Sequence, residues 1–166
     1  MQATTEIPIM EGIKVLPATF RGGDYLVFNL GDAEFGIRVE SIRAVMALAK
    51  PEGRVPDVIN LRGTPIPLVD LRSEFGFPAG EGTNRTSVLV VQAKPMLTVG
   101  LVVDAIIQVI SLNAGEIEDA PQDHDGFPGA LSSGISNIGG TTRLLIDINR
   151  LWEALRPRMS GMLHWH

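Results

Sequence analysis

Cysteine is absent from the 166 residues of the sequence. The chain therefore forms no disulfide bonds and has no thiolate with which to attack a substrate. The N-terminus also lacks the charged segment followed by an apolar segment that is typical of a secretory signal. Together, these absences predict a cytoplasmic location.

Aromatic residues are scarce, and an excess of positive charge and long apolar runs are absent. Aromatics make up 5% of the chain, and 19 Asp and Glu residues outnumber 14 Lys and Arg residues, which gives a net charge of −5. Nucleic-acid binding needs cations for the phosphates and rings for the bases, so an oligonucleotide-binding barrel is disfavoured. The most apolar run, residues 99–110, is broken by Asp104 and Gln108 and falls short of a membrane span. We expect no nucleic-acid partner and no direct membrane binding.

Turn-forming residues and short apolar segments dominate the rest of the chain. With 18 Gly and 11 Pro, the sequence is typical of an all-β protein in which tight turns join short strands. A polar loop is expected at 121–129. Strands are predicted at 25–30, 35–39, 42–46, 87–92, 97–103, 105–112 and 144–148.

Two short helices are predicted as well. Asp70 has the position of an N-cap for a helical turn over 71–75. Near the C-terminus, apolar residues spaced three and four apart from position 148 predict a helix over 149–156. Pro157 is expected to end this helix.

Two segments of the sequence occur twice, in the same order. Residues 35–45 resemble residues 99–109, where the offset from Gly36 to Gly100 is 64. Residues 60–71 resemble residues 137–148, where the offset from Asn60 to Asn137 is 77. Such self-similarity predicts two copies of one small β unit.

The repeats separate framework positions from positions that differ. Several residues are identical in both copies, and we attribute three of these pairs to turn, bulge and cap geometry. These pairs are Gly36 and Gly100, Gly63 and Gly140, and Asp70 and Asp147. Arg62 is the clearest difference because its counterpart is Gly139, and this makes Arg62 a candidate for function. The alternative is an intramolecular ion pair of Arg62 with Asp70, Glu74 or Asp104.

The ordered set of motifs resembles the CheW family of chemotaxis coupling proteins, over residues 25–155. The resemblance rests on four segments, which are residues 25–37, Val58-Ile-Asn-Leu-Arg-Gly, Pro67-Leu-Val-Asp-Leu-Arg, and Val99-Gly-Leu-Val-Val-Asp with the following Val109-Ile-Ser-Leu. It implies two intertwined five-stranded SH3-like barrels with short helices, including a C-terminal helix. The expected division is a flexible leader (1–24), a first barrel (25–78), a second barrel (85–148), a C-terminal helix (149–156) and a tail (157–166).

The same resemblance implies a non-catalytic adaptor without a cofactor. Proteins of this family couple the cytoplasmic tips of chemoreceptors to the regulatory domain of a CheA-type histidine kinase, so the expected location is cytoplasmic, at membrane-associated chemoreceptor arrays. The receptor helix is expected in the groove between the barrels. The implied receptor-binding residues are Val39, Ile42, Asn60, Leu61, Arg62, Gly100 and Val102. The implied kinase-binding residues are Ala44, Val45, Met46, Pro56, Asp57 and Val58.

Three features near the implied kinase surface differ from the family pattern. The stretch before the Asn-Leu-Arg-Gly motif is shorter than usual, Asp57 replaces a common Gly, and Ala44 replaces a commonly acidic residue. These differences suggest an alternative function. In it, the chain is a divergent CheW-like paralogue that binds receptors but engages the kinase weakly or not at all.

Catalytic and metal chemistry find little support in the sequence. Asp123-His124-Asp125 is the one compact group of metal-capable residues, but it lacks a second spaced pair of ligands, so we predict no metal site. The chain also lacks a recognisable nucleophile and base pair and a Gly-x-Ser-x-Gly motif. We therefore do not expect an enzyme.

Overall fold

A computed structural model gives the fold and describes residues 4–7, 22–48, 55–77, 86–94 and 97–163. The strands are β1 (Thr4–Ile7), β2 (Gly23–Leu30), β3 (Ala33–Arg38), β4 (Ile42–Leu48), β5 (Val58–Leu61), β6 (Thr64–Asp70), β7 (Thr86–Lys94), β8 (Leu97–Val103), β9 (Ala105–Leu112), β10 (Ile117–Glu118), β11 (Asp123–His124), β12 (Phe127–Pro128), β13 (Ser132–Ile138) and β14 (Thr141–Ile146). The helices are α1 (Leu71–Glu74) and α2 (Ile148–Leu163). The all-β class with a C-terminal helix is therefore confirmed.

The strands form two six-stranded sheets of matching design. The first sheet has the order β1-β4-β7-β8-β6-β5, and the second has the order β10-β13-β14-β3-β2-β9. A shift of 64 residues converts β2, β3 and β4 into β7, β8 and β9, and a shift of 77 converts β5 and β6 into β13 and β14. Each sheet thus contains five equivalent strands in the same order. β1 is added beside β4 in the first sheet, and β10 is added at the other end, beside β13, in the second.

The two copies exchange strands. In the first sheet, β6 of the first copy pairs in parallel with β8 of the second copy. In the second sheet, β14 of the second copy pairs in parallel with β3 of the first. Each sheet therefore combines both halves of the chain, as predicted for intertwined barrels, and neither sheet coincides with the sequence ranges 25–78 and 85–148. A hairpin turn joins antiparallel neighbours directly, whereas parallel neighbours need a longer connection. β6 is connected to β8 through α1 and β7, and residues 39–140 lie between β3 and β14.

Two repeated glycines lie at the points of exchange. Gly100 pairs with Leu68, and a Cβ added at Gly100 would lie 2.5 Å from Leu68 Cδ2 and 2.9 Å from Val88 Cγ1. Gly36 pairs with Leu145, and its added Cβ would lie 2.9 Å from Leu145 Cδ2. The prediction of turn or bulge geometry is wrong for these two positions. They are glycine because a leucine from the other copy packs directly on the strand.

Apolar side chains fill the space between and within the sheets. The largest cluster combines residues from both sheets with α2, including Phe28, Phe35, Leu89, Leu101 and Trp152. A second cluster within the first sheet includes Ile59, Leu68, Val88, Val90 and Val102. Successive residues of β7 and β8 thus enter different clusters. These two strands are buried on both faces.

The ends of the chain differ from the prediction. β1 lies within the expected leader and pairs antiparallel with β4, so the first strand precedes position 25. Three parts of the expected division lie outside the described residues, namely 1–3 and 8–21 of the leader, 79–84 between the two barrels, and 164–166 of the tail. Pro157 does not end the last helix, because α2 continues to Leu163. A proline inside a helix removes one backbone hydrogen bond without necessarily stopping the helix.

The predicted polar loop at 121–129 contains a small hairpin, formed by β11 and β12. Phe127 in this hairpin is fully buried. Its ring centroid lies 5.1 Å from that of Phe35 and 4.3 Å from that of Phe75. The segment is therefore anchored by an aromatic cluster that periodicity does not reveal.

The repeated aspartates cap the two helices, as predicted. Asp70 Oδ1 accepts a hydrogen bond from the Arg72 backbone N–H at 3.0 Å. Asp147 Oδ1 accepts from the N–H groups of Asn149 at 2.9 Å and Arg150 at 3.1 Å. Both aspartates thus satisfy backbone donors that a helix N-terminus leaves open.

Arg72 connects the first copy to the second through a buried ion-pair network. Its guanidinium donates to both carboxylate oxygens of Asp70, at 2.9 and 3.0 Å, and to Asp104 Oδ1 at 3.1 Å. Asp104 Oδ2 in turn accepts from the Gly31 N–H at 2.6 Å. The hydrogen bond to Asp70 raises the pKa of Arg72 despite the opposing effect of burial. The network joins α1, the bend before β9 and the β2–β3 turn.

The glycine at the first exchange point has a testable role. We expect Gly100→Ala to lower the free energy of unfolding by about 1–3 kcal/mol, because the new methyl group overpacks against Leu68 and the stiff Val88 side chain. Gly36→Ala should cost less, since only Leu145 Cδ2 lies closer than 3 Å to the added Cβ. Urea unfolding measures both. Gly115→Ala is the control because its added Cβ meets nothing within 4 Å, and an equal loss in all three variants would contradict the packing argument.

Candidate functional site

The two repeated hairpins have the same turn. Leu61 pairs with Thr64 across the β5–β6 turn, and Ile138 pairs with Thr141 across the β13–β14 turn. All four turn residues have positive φ, with values of 53° and 85° in the first turn and 64° and 82° in the second. Positive φ at both central positions defines a type I′ turn, which favours Gly or Asn. The backbone conformation of the turn therefore explains why both copies have glycine here, at Gly63 and Gly140.

Arg62 occupies the first central position of its turn, at a φ of 53°. Among the described residues, Asp125 is the one other non-glycine residue with positive φ. A left-handed conformation costs an L-residue with a side chain about 1 kcal/mol. The second copy makes the same turn with Gly139, so the turn itself does not require Arg62. The chain keeps a charged side chain where the backbone favours glycine.

The backbone of this turn is fixed by its neighbour. Asn60 Oδ1 accepts a hydrogen bond from the Gly63 N–H at 2.8 Å. Asn60 and Arg62 are exposed, and Leu61 between them is half-buried. The turn therefore presents one charged and one partly apolar side chain on a hydrogen-bonded frame. This frame limits the directions that the Arg62 side chain can take.

Two of the ion pairs predicted as alternatives for Arg62, those with Asp70 and Asp104, do not agree with the topology. Asp70 lies at the far end of β6, about 20 Å along the strand from the turn. Glu74 follows in α1, directly after that end. Asp104 binds Arg72 there, together with Asp70. An ion pair of Arg62 with Asp70 or Asp104 is therefore excluded by distance.

The structure brings part of the implied receptor-binding set to one end of the first sheet. β4 begins at Ile42, which pairs with Val91, and runs away from the β7–β8 turn. The β5–β6 turn lies at the same end, because β6 and β8 are parallel. Val39 and Ile42 are thus on the same end of the sheet as Arg62, although both are buried.

Gly100 and Val102 do not reach the surface. Val102 is 0% exposed and belongs to the cluster within the first sheet, while Gly100 packs under Leu68. Both residues are enclosed in this conformation, and their role as receptor contacts stays a prediction. Sequence alternation could not show this, because β8 is buried on both faces and has no polar side to identify.

The implied kinase-binding set is divided between the interior and the surface. Ala44, Val45 and Met46 are buried, and β1 pairs along the outer edge of β4 from Val45 to Leu48. Direct contacts through the side chains of residues 44–46 are therefore not available in this conformation. The accessible part is the entry to β5. There, Asp57 is exposed and its neighbours Pro56 and Val58 are half-buried.

The entry to β5 is held in place by one backbone contact. The Asp57 carbonyl accepts a hydrogen bond from the Leu68 N–H at 2.8 Å. Asp57 thus extends the β5–β6 ladder by one step beyond Val58, which pairs with Pro67. The side chain of Asp57 is presented from a fixed backbone.

Arg43 is a surface residue that the sequence analysis did not select. It is the extra residue of a β-bulge, because Ile42 pairs with Val91 and Ala44 pairs with Val90. Its guanidinium donates to Gln92 Oε1 at 2.8 Å and to the Glu40 carbonyl at 3.2 Å. In the sequence, Arg43 could have been recognised as a charged residue inside an otherwise apolar strand. Arg43 lies at the same end of the sheet as Arg62.

The His124 side chain packs against an aromatic ring. Its ring meets that of Phe35 edge-on with centroids 5.5 Å apart, and its buried Nε2 has no hydrogen-bond partner. The nearest carboxylate oxygen in an ion-pair arrangement is Asp125 Oδ2, at 3.8 Å.

Across the described ranges, the His, Cys, Asp and Glu side chains form no group of three or more that could hold a metal ion. In the same ranges, no helix has the length and apolar character needed to cross a bilayer.

Comparison with known proteins agrees with this geometry. A family model for the CheW-like domain matches residues 24–156. The chain belongs to the CheW-like family. It is similar to the chemotaxis protein CheW of Klebsiella aerogenes, with 32% identity over 136 residues, 78% of this chain and 81% of that protein. It is also similar to the chemotaxis protein CheW of Rhizobium meliloti, with 29% identity over 139 residues, 80% of this chain and 89% of that protein.

A solved CheW structure has the same fold. The crystal structure of the scaffolding protein TtCheW from Thermoanaerobacter tengcongensis superimposes with a TM-score of 0.65 at 25% identity, over 79% of this chain and 88% of that chain. This similarity and the two five-stranded units confirm the prediction of intertwined SH3-like barrels. This chain therefore has the same overall architecture as that CheW protein.

The strained turn yields a stability prediction. We expect Arg62→Gly to raise the free energy of unfolding by up to about 0.5 kcal/mol, because relief of the left-handed backbone slightly exceeds the added freedom of Gly in the unfolded chain. The reciprocal Gly139→Arg should lower it by a similar amount. Chemical denaturation of both variants provides the measurement. A loss of more than about 1 kcal/mol in Arg62→Gly would instead make the Arg62 side chain structural.

Proposed function

We propose that this CheW-like protein is a non-catalytic adaptor of chemotaxis signalling that couples chemoreceptor tips to a CheA-type histidine kinase. Membership of the CheW-like family and similarity to a scaffolding CheW protein support the adaptor role. The observation that carries the proposal for this chain is Arg62. It is an exposed cation kept at a turn position where the duplicate copy has glycine.

The β5–β6 turn is the proposed receptor contact. A chemoreceptor tip is an antiparallel helical hairpin, and a helix can place an apolar ridge beside Leu61 while Arg62 binds carboxylates or terminal carbonyls. The guanidinium suits this task because its donors form a rigid, planar fork. Val39 and Ile42 support this surface from below, since both are buried at the same end of the sheet. Gly100 and Val102 lie farther from the turn, opposite Leu68 and Asp70.

The entry to β5 is the proposed kinase contact. Pro56, Asp57 and Val58 form a short accessible segment on a fixed backbone, at the opposite end of β5 from Arg62. Two ligands could therefore occupy the two ends of one hairpin at the same time. This separation is what an adaptor needs. The alternative of a paralogue that engages the kinase weakly is not favoured, because the proteins of similar sequence and structure are CheW chemotaxis and scaffolding proteins.

Location follows from the proposed partners. Chemoreceptor tips are held in arrays at the membrane, so a protein that binds them would collect there without entering the bilayer itself. We therefore expect the chain at the cytoplasmic side of such arrays. Its attachment would be through protein contacts.

Receptor binding can be tested with the turn variant that should leave the fold intact. We expect Arg62→Gly to weaken binding to a purified receptor signalling fragment by about 30-fold, the effect of losing a contact worth about 2 kcal/mol. Its affinity for the kinase regulatory domain should stay unchanged. Isothermal titration calorimetry measures both affinities.

The matched control is Arg156→Ala, which removes an exposed arginine of α2 and tests for a general effect of charge. Equal losses in Arg62→Gly and Arg156→Ala would show that the receptor fragment responds only to net charge. Wild-type protein that binds neither the receptor fragment nor the kinase domain would overturn the proposed function.

Kinase binding has a separate test. We expect Asp57→Arg to weaken binding to the kinase regulatory domain about tenfold, because it reverses the exposed charge of Asp57 at the entry to β5. Receptor binding should be preserved. The control is Asp32→Arg, an equivalent charge reversal at the exposed β2–β3 turn. If Asp32→Arg weakened kinase binding and Asp57→Arg did not, the kinase contact would lie on the second sheet instead of at the entry to β5.

A further inference from the structure

Two equivalent strands differ in what lies on their outer edges. A shift of 64 residues converts β4 into β9, and both strands have a bulge at the same place, with Arg43 and Ile107 as the extra residues. β4 has a neighbour on each side, β7 and β1. Within the described part of the chain, β9 pairs with β2 alone. Among the described residues, no strand lies on the edge of β9 that corresponds to the β1-binding edge of β4.

The two edges have nearly the same residues. β1 pairs with four consecutive residues of β4, which are Val45, Met46, Ala47 and Leu48. Their counterparts in β9 are Val109, Ile110, Ser111 and Leu112. The valine and the leucine are identical, an aliphatic residue replaces methionine, and a small residue replaces alanine. We call the second set the β9 edge. A strand that fits the β4 edge meets side chains of the same sizes on the β9 edge.

The burial of the two sets differs as expected for one covered and one open edge. Val45 and Met46 are buried, whereas their counterparts Val109 and Ile110 are only half-buried. Ile107, beside the β9 edge, is 43% exposed. A strand added to the β9 edge would remove apolar surface from water, as β1 does on β4.

The β9 edge also lacks the features that normally protect a sheet edge. Natural edge strands are short, or contain charges or proline. The other strands at the ends of the two sheets have four residues in β1, four in β5 and two in β10. β9 has eight residues, none of them charged and none of them proline. Its bulge at Ile107 interrupts the pairing with β2, but the residues from Val109 onward pair regularly.

We propose that the β9 edge binds an extended segment of a partner protein as an additional antiparallel strand. The segment should resemble the strand that occupies the equivalent edge, Thr-Thr-Glu-Ile, which is short, rich in β-branched residues and free of basic residues. Main-chain hydrogen bonds would supply affinity, and the alternate side chains would supply selectivity. This inference is independent of the proposed adaptor function, because it rests on the internal comparison of β4 and β9.

A second copy of this chain is a less suitable occupant. Each copy has one β1 strand and two acceptor edges, so exchange of β1 between copies would always leave an edge open. β1 also binds the edge of β4 in its own chain in preference to the β9 edge of another copy, because the first contact is intramolecular. A strand from another protein is therefore assigned to the β9 edge.

The absence of cysteine makes a site-specific test feasible. In the β1–β4 pairing, Thr5 lies opposite Ala47, whose counterpart in the β9 edge is Ser111. The probe is a synthetic peptide of residues 2–9 with Thr5→Cys, activated as a mixed disulfide and added to the full chain carrying Ser111→Cys. Thiol–disulfide exchange should link the two at least about tenfold faster than it links the peptide to a chain with Ile138→Cys, because pairing raises the local concentration. Ile138 is a suitable control since it is exposed on another hairpin.

Equal rates for the two chains would overturn the proposal. Circular dichroism should first show that both variants are folded, which is expected because both positions are exposed. A chain with Thr5→Cys and Ala47→Cys should close an intrachain disulfide, and failure to do so would remove the precedent on which the proposal rests. If a chain with Thr5→Cys and Ser111→Cys formed disulfide-linked dimers as fast as the peptide reacts, the occupant would be a second copy and our assignment would be wrong.

Discussion

The exchange of strands between the two copies is the constraint on which the rest of the structure depends. Each sheet joins a hairpin of one copy to a hairpin of the other through a parallel pair. β5–β6 joins β7–β8 through β6 and β8, and β13–β14 joins β2–β3 through β14 and β3. Close packing at these pairs places Leu68 on Gly100 and Leu145 on Gly36. Because neither half has a complete sheet without the other, the two units must fold together. The Arg72 network adds a second connection at the far end of β6.

This constraint also explains how a duplicated chain acquires two different surfaces. The framework needs the same turn in both copies, and it obtains the turn with Gly63 and Gly140 at equivalent backbone angles. The neighbouring position is free to differ once the turn is formed. The first copy holds Arg62 there, at the expense of a left-handed backbone, and the second holds Gly139. We infer that selection for a partner kept the arginine.

The sequence predicted those features that depend on local or repeated patterns. Alternation gave the strands, the repeats gave two related units, and Asp70 and Asp147 were recognisable as caps. Burial of the implied site residues could not be predicted in the same way. Val102 and Met46 lie in strands with apolar residues on both faces, so no polar face separates interior from surface. β1 and the hairpin around Phe127 depend on long-range pairing and aromatic packing, and α2 passes Pro157 despite a local stop signal.

The central claim is that this chain joins two proteins, and a bridging measurement tests it most directly. A receptor signalling fragment is immobilised, and the kinase regulatory domain is added with and without the wild-type chain. We predict that the kinase domain is retained only when the chain is present, with retention that rises and then falls as excess chain saturates both partners separately. Retention that is the same without the chain, or that decreases steadily as chain is added, would contradict the account.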